Sequence, residues 1–307
     1  MIKNILENID NNEINLEDIS YLWNEKNENN KKLIINHIQE NLNDFKITYE
    51  GNIYYPTIYK IEDNCPTCGY RTPISRQKYT EEFIVKNIEY KLNGISNYNF
   101  SGINCYNKDI TGLRELFIIL NYLEHLNLNI NVALSNYDNL KYLKKYELNS
   151  IIYNPLDFSY KDNNDNNDNF NSKYEEQVIR YIKENMSIKV TYVLTLKYNE
   201  SHHDIFNIIE RIKKLNVDYI EIRGFDPFVD SPEEYNPQYS KEFILKIIIL
   251  LRLYLPNVEL KIQYATNENN YLEDYIKLGI NTITGIYTKN MGKKLENIDK
   301  IQELEKK

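Results

Sequence analysis

The spacing of apolar positions changes about fifty residues into the chain. In the stretches 14–23 and 31–42 apolar side chains recur every three or four residues, and Asn15 and Asp18 stand near a helix start. From Ile53 onward, short β-branched or aromatic runs alternate with longer amphipathic stretches. The pattern predicts a helical arm over residues 1–50, followed by repeated βα units over 51–307.

The βα pattern predicts eight strands with helices between them. We expect the strands at 53–58, 98–103, 130–134, 150–153, 188–194, 219–222, 258–263 and 282–286, and the helices at 80–92, 111–126, 137–146, 174–184, 202–215, 240–253 and 271–278. A doubly wound sheet is disfavoured because no Gly-x-Gly-x-x-Gly follows any of these strands. The predicted fold class is therefore α/β, a (β/α)8 TIM-type barrel with an N-terminal helical extension, for which about 250 residues are typical.

Composition and charge narrow the choice of partners. The 307 residues are 42% hydrophobic, enough for one large core, and the net charge of −8 disfavours a nucleic-acid partner, which is usually bound through a basic surface. The most apolar run, 243–255, contains Lys246 and Arg252 and is too short to span a bilayer, and no signal sequence follows Met1. We expect a cytoplasmic protein that binds a small-molecule substrate and neither nucleic acid nor membrane.

The cysteines are the strongest candidates for chemistry. Segment 65–71 reads Cys-Pro-Thr-Cys-Gly-Tyr-Arg and follows the first predicted strand, and Cys105 follows the second. In a barrel, the residues after strand ends share one face, so Cys65, Cys68 and Cys105 are predicted to form one metal or redox site. An iron-sulfur cluster, a zinc site, a redox pair and a metal-free turn all remain open.

Other polar residues follow the later strands. Arg223 follows the sixth predicted strand, which places it on the same face of the barrel as the cysteines. His202 and His203 follow the fifth, but Ser201-x-x-Asp204 has the pattern of a capping box, which favours a helix start over a ligand site. The Asp- and Asn-rich segment 161–171 is expected to be a loose insertion.

Together these segments resemble the biotin-synthase-like branch of the radical S-adenosylmethionine (SAM) enzymes. The resemblance is carried by the cysteine segment, the Ser-Gly pair at 101–102, the run Tyr-Asn-Pro-Leu-Asp at 153–157 and the run Ile-Asn-Thr-Ile-Thr-Gly at 280–285. Within that branch, residues 64–72 look closest to the proteins associated with building the iron-guanylylpyridinol cofactor of the mononuclear-iron hydrogenase of methanogens.

The resemblance implies a cofactor set and a site. It implies a 4Fe-4S cluster, SAM, a 5'-deoxyadenosyl radical, an electron-donor protein and a role in cofactor or small-molecule biosynthesis. Cys65 and Cys68 match the last two cluster cysteines of this family. The remaining matches lie around the cofactor: Ser101 and Gly102 at the methionine amino group, Asn154 and Asp157 near the ribose and substrate, and Arg223 at an anionic group.

One cluster position departs from the family pattern. The spacing Cys-x3-Cys-x2-Cys would place a cysteine at Ile61, and the longer Cys-x5-Cys-x2-Cys would place one at Tyr59. The third ligand would then come from Asp63, Glu62, Tyr59 or Cys105. The alternative is a radical-SAM-like barrel without a complete cluster that binds a ligand or a partner protein. The arm at 1–50 is a candidate surface for a homodimer.

Overall fold

Eight parallel strands close into a barrel in the computed structural model. It describes residues 1–11, 13–42, 46–55, 80–95, 100–107, 113–134, 137–155, 168–196, 201–224, 240–263 and 272–286. The strands are β1 Thr48–Tyr55, β2 Gly102–Asn107, β3 Asn129–Leu134, β4 Ser150–Tyr153, β5 Lys189–Thr195, β6 Tyr219–Arg223, β7 Glu259–Gln263 and β8 Ile280–Ile286. Each strand pairs with the next in sequence and β1 pairs with β8, so the predicted (β/α)8 barrel is confirmed.

Helices surround the barrel. They are α1 Ile2–Asp10, α2 Leu16–Asn24, α3 Glu28–Glu40, α4 Glu81–Ile95, α5 Arg114–Leu123, α6 Asp168–Arg180, α7 His202–Leu215, α8 Lys241–Tyr254 and α9 Leu272–Lys277. A short 3-10 helix covers Tyr137–Tyr142, and a π-helical turn, Tyr181–Met186, continues α6. In the described part of the chain, no helix is both long and apolar enough to cross a membrane.

Several predicted boundaries need correction. Strand β2 begins at Gly102, not at residue 98, and strand β1 begins at Thr48, inside the predicted arm. Helix α6 begins at Asp168, within the segment expected to be a loose insertion; residues 161–167 lie outside the described residues. The predicted helix at 137–146 is the 3-10 helix instead.

The two faces of each strand have different chemistry. Side chains that face the helices are apolar, as with Ile53, Ile103 and Val132, and they join one large core. Side chains that face the barrel lumen are often polar yet buried. Because neighbouring residues of a strand point to opposite faces, one strand supplies both environments.

The N-terminal helices pack on the outside of the barrel. Apolar residues of α2 and α3, among them Ile19 and Ile34, belong to the same core as the strands. Trp23 meets Phe243 of α8 edge to face, with ring centres 5.5 Å apart. The predicted helical arm is thus a packed layer, with α1 as an additional helix that the spacing did not predict.

Candidate active site in the barrel lumen

Arg223 crosses the lumen at the C-terminal ends of the strands. It is the last residue of β6, and its Nε donates a hydrogen bond to Glu221 Oε1 at 2.9 Å. Its Nη2 donates to the hydroxyl of Tyr106 on β2 at 2.6 Å, and the guanidinium carbon lies 5.2 Å from the centre of that ring. Since β2 and β6 lie on opposite sides of the closed barrel, these side chains meet inside it.

Glu221 lies one pleat deeper than Arg223 and is fully buried. Its Oε1 also accepts a hydrogen bond from Thr284 Oγ1, on β8, at 3.1 Å. Its Oε2 is buried and accepts no hydrogen bond from the part of the chain that the structure describes. A buried carboxylate oxygen without a hydrogen-bond donor lowers the stability of the folded protein. Glu221 Oε2 can therefore accept a hydrogen bond from a ligand or a water molecule.

The opposite wall of the lumen is apolar. Tyr106, Ala133, Ile152 and Val193 form a separate cluster of buried side chains, supplied by β2, β3, β4 and β5. This part of the lumen therefore has a charged side and a largely aliphatic side. This combination of walls suits a small molecule that is polar at one end and apolar at the other.

The lumen nearer the N-terminal ends of the strands is filled by polar side chains bonded to one another. Asn104 Nδ2 donates to Asn52 Oδ1 at 2.9 Å, and Asn131 Nδ2 donates to Asn104 Oδ1 at 2.8 Å. Lys261 Nζ pairs with Glu50 Oε1 at 2.7 Å, and both residues are buried. This lower layer closes the base of the lumen.

Two predicted site residues lie at the C-terminal ends of the strands. Arg223 ends β6, as described above. Asn154 directly follows β4, is half-buried, and its backbone N–H donates to the hydroxyl of Tyr137 at 3.3 Å. The structure therefore places both near the mouth of the lumen, where a cofactor or substrate of a barrel enzyme binds.

Ser101 and Gly102 lie at the opposite end. They stand at the start of β2, where Ser101 Oγ donates to the carbonyl of Tyr49 at 3.0 Å. A Cβ atom on Gly102 would lie 2.8 Å from the carbonyl oxygen of Asn129, so glycine allows β2 and β3 to approach closely. The predicted strand 98–103 would place this pair at the C-terminal end of strand two, but the pair lies at the start of β2, and that position does not fit contact with a methionine amino group at the mouth.

Cys105 does not face the lumen. It lies within β2, 1% exposed, in the apolar core shared with Ile53 and Val132, on the helix side of the sheet. Burial raises the pKa of the Cys105 thiol to about 12, so the sulfur stays protonated at neutral pH. The expectation that Cys105 follows strand two and belongs to the lumen face is therefore corrected, and Cys105 does not fit a place in a lumen metal site.

Several predicted residues lie outside the described residues. These are Cys65, Cys68 and Asp157, together with the alternative ligands Tyr59, Glu62 and Asp63. Among the described residues no group of three or more His, Cys, Asp or Glu side chains could hold a metal ion.

The histidine region is a helix start, as its pattern indicated. Ser201 Oγ accepts from the Asp204 N–H at 3.2 Å, and the Ser201 N–H donates to Asp204 Oδ2 at 2.8 Å. This reciprocal pair caps α7. His203 is exposed in the first turn.

The main residues that the sequence did not reveal are Glu221, Tyr106 and Thr284. Each is a polar or amphipathic side chain at a lumen position of a strand otherwise rich in apolar residues. Tyr-Ile-Glu-Ile-Arg at 219–223 shows the signal, because its alternation places residues 219, 221 and 223 on one face.

The chain is similar in sequence or in fold to several known proteins. No protein-family model matches the chain. An uncharacterized protein of Methanocaldococcus jannaschii is 27% identical over 232 residues, which is 70% of this chain and 59% of that protein. The chain thus spans less than two thirds of its curated relative.

Solved structures agree over nearly the whole chain. The crystal structure of methylornithine synthase (PylB) matches with a TM-score of 0.75 and 15% identity, over 98% of this chain and 95% of that one. HydG, a maturase of the FeFe-hydrogenase, matches with a TM-score of 0.75 and 16% identity, over 99% of this chain and 73% of that one. At this level of identity the agreement shows that the chain shares the barrel fold of these two proteins.

Proposed function

We propose that the protein is a radical SAM enzyme that acts on a small molecule held in the barrel lumen. The observation that carries the proposal is the agreement of its whole barrel with PylB and HydG. The charged residues at the mouth support it, because Arg223 and Glu221 belong to the end of the barrel where enzymes of this fold react.

The cysteines fit a 4Fe-4S cluster only in part. Cys65 and Cys68 remain the proposed ligands, and Cys105 is excluded because its sulfur lies on the helix side of β2. A third ligand would have to be an oxygen donor, with Tyr59, Glu62 and Asp63 as the candidates. A cluster and SAM, when bound, would supply one-electron reduction and an adenosyl radical.

The described residues contribute binding and orientation. Arg223, fixed by Glu221 and Tyr106, presents a positive charge at the mouth, and Asn154 follows β4 at the same end of the barrel. The hydrogen-bonded polar layer below fills the base of the lumen. Asp157 is proposed to act with Asn154.

The proposed biological role is cofactor or small-molecule biosynthesis. The resemblance of residues 64–72 to the proteins of iron-guanylylpyridinol biosynthesis favours that hydrogenase cofactor as the product to test first. An electron-donor protein would supply the electron, and a homodimer is the assembly that we would test.

Anaerobic reconstitution tests the proposal. Protein treated with iron and sulfide should bind iron and release 5'-deoxyadenosine from SAM under reduction, whereas a Cys65→Ala, Cys68→Ala double variant should do neither. Cys105→Ala is the matched control and should behave as wild type. If wild type binds no more iron than the double variant, the proposal fails.

A second candidate is a barrel that binds a ligand without cluster chemistry. It is favoured by the orientation of Cys105, which leaves at most two thiolates for a cluster. In that case SAM would bind without cleavage, or would not bind, and anaerobically purified protein would hold no iron.

A further inference from the structure

We propose that the lumen binds the zwitterionic end of an amino acid, with Glu221 accepting from its ammonium group and Arg223 donating to its carboxylate. The inference rests on the proposed function and defines the class of its small molecule. It assigns Glu221 as the residue that selects for an amine.

The unused oxygen of Glu221 is the first argument. Oε1 accepts from Arg223 Nε and from Thr284 Oγ1, while Oε2 is buried without a donor from the described chain. Folding normally satisfies buried polar atoms, and exceptions are found at sites that wait for a ligand or an internal water. An ammonium group carries three N–H donors and suits this acceptor.

Charge balance selects a zwitterion. Glu221 and Arg223 have opposite charges, and Glu50 and Lys261 below them form a second pair, so these four lumen charges cancel. A ligand with a net charge would add an uncompensated charge to a buried space, which is costly. An amino acid adds no net charge, and its two ends complement the carboxylate and the guanidinium.

The shape of the lumen agrees with this orientation. Arg223 is one pleat nearer the mouth than Glu221, so the ammonium would lie deeper than the carboxylate. The Arg223 side chain is 16% exposed at the mouth, and its Nε is hydrogen-bonded to Glu221 Oε1. The small side chains of Ala133 and Val193 on the opposite wall leave an apolar surface for the aliphatic part.

Two molecules carry this chemistry. One is a free amino-acid substrate, and the other is SAM itself, whose methionyl part is an amino-acid zwitterion. We assign the site to the substrate, and the experiment separates the two.

The test is the thermal unfolding midpoint of the full chain, with and without SAM, in the presence of each common amino acid at millimolar concentration. Each amino acid is compared with the acid that lacks its amino group and the amine that lacks its carboxylate. We expect at least one amino acid to raise the midpoint while its two analogues do not. Neither cluster nor reductant is needed, so failure here is distinct from failure of the 5'-deoxyadenosine assay.

Variants complete the test. Titration should show that Glu221→Gln weakens amino-acid binding about 10- to 100-fold, the range for losing a hydrogen bond to a charged group. Glu175→Gln is the matched control, because Glu175 is also buried and paired with an arginine but lies in the helix layer. Should Glu221→Gln fail to fold, Arg223→Gln should abolish the preference for the amino acid over the amine.

Three results would overturn the inference. The first is no shift from any amino acid, which would leave an internal water as the partner of Glu221. The second is a shift that Glu221→Gln preserves. The third is a shift from SAM alone that Glu221→Gln removes, which would assign the site to the cofactor.

Discussion

Two buried glutamates, each paired with an arginine, differ mainly in what surrounds them. Glu221 and Arg223 lie on one strand and reach across the lumen to β2 and β8. Glu175 of α6 pairs with Arg211 of α7, between the barrel wall and the helices. Both carboxylates have one buried oxygen without a hydrogen-bond partner in the described chain.

The surroundings of Glu175 belong to the packed layer. The tyrosines of β4 and β5 that lie beside it, Tyr153 and Tyr192, are almost fully buried, and burial, with the charge of Glu175 as a smaller cause, raises the pKa of both phenols. Burial also raises the pKa of the Glu175 carboxyl, although Arg211 opposes the shift. This pair joins helices α6 and α7, whereas the lumen pair lies inside the barrel, where a ligand could bind.

The largest expected effect comes from removing the cation of the helix-layer pair. Arg211→Met should lower the free energy of unfolding by about 3 kcal/mol at neutral pH, because it leaves Glu175 buried without a counter-charge. The value is at the lower end of the usual range because the Arg211 side chain is 39% exposed. Urea denaturation measures the loss.

A double variant supplies the control for that measurement. Glu175→Leu combined with Arg211→Met should recover most of the lost stability, because apolar replacement of a whole buried pair is often neutral. A double variant as unstable as Arg211→Met would show that the pair supports the fold through something other than its charges.

The second prediction concerns pH. The folded pKa of Glu175 is raised, so its contribution to stability is present below the unfolded pKa of about 4.3 and is lost as pH rises through the folded pKa. Wild type should therefore lose stability relative to Glu175→Gln as pH rises from about 4 toward neutrality. Parallel stability curves for the two proteins, from urea denaturation at a series of pH values, would contradict the assignment.

The sequence predicted the outer layer better than the lumen, for a physical reason. Helix α7 was expected at 202–215, and these are its bounds in the structure. There the apolar spacing follows the burial of one face, so the pattern and the structure have the same cause.

Strand β2 shows where the same reasoning failed. Its lumen face carries Asn104, which pairs with amides of neighbouring strands, so an inward polar residue interrupts the apolar run. The aromatic run at 98–100 resembled a strand more closely, and the prediction moved toward the N-terminus. As a result, Ser101 and Gly102 were predicted at the C-terminal end of strand two, although they lie at its start. Cys105 was predicted after the strand, although it lies within it.

Part of the candidate site was within reach of the sequence. The positions of Arg223 and Asn154 at the mouth of the barrel were predicted because each directly follows or ends a strand that was correctly located. Glu221 was missed because its contact with Thr284 Oγ1 forms only when the barrel closes, although its alternation with Arg223 is visible in the sequence. Spacing along the chain carries no information about contacts across a lumen.

The third prediction tests whether the hydrogen bond from Arg223 to Tyr106 serves stability or amino-acid binding. Tyr106→Phe keeps the ring but removes the hydroxyl to which Nη2 donates, so the stability loss should be about 1 kcal/mol. Amino-acid affinity should stay within a few-fold of wild type, because Glu221 still positions the guanidinium. Urea denaturation and ligand titration measure the two effects, and a loss of affinity as large as that of Glu221→Gln would assign Tyr106 to the binding site instead.

The smallest expected effect concerns Cys105. Because burial raises the pKa of its thiol to about 12, Cys105 in the folded protein should not react with a disulfide reagent at pH values near 8, and should react once the chain is denatured. Iron content after reconstitution should be the same in Cys105→Ala as in wild type, with a modest loss of stability from the vacated space in the core. The contradicting result is a Cys105→Ala variant that loses as much iron as Cys65→Ala. Cys105 would then have to be a cluster ligand, so the helix-facing side of β2 would have to turn toward the lumen when iron is bound. The contrast between the helix layer and the lumen would not hold for β2.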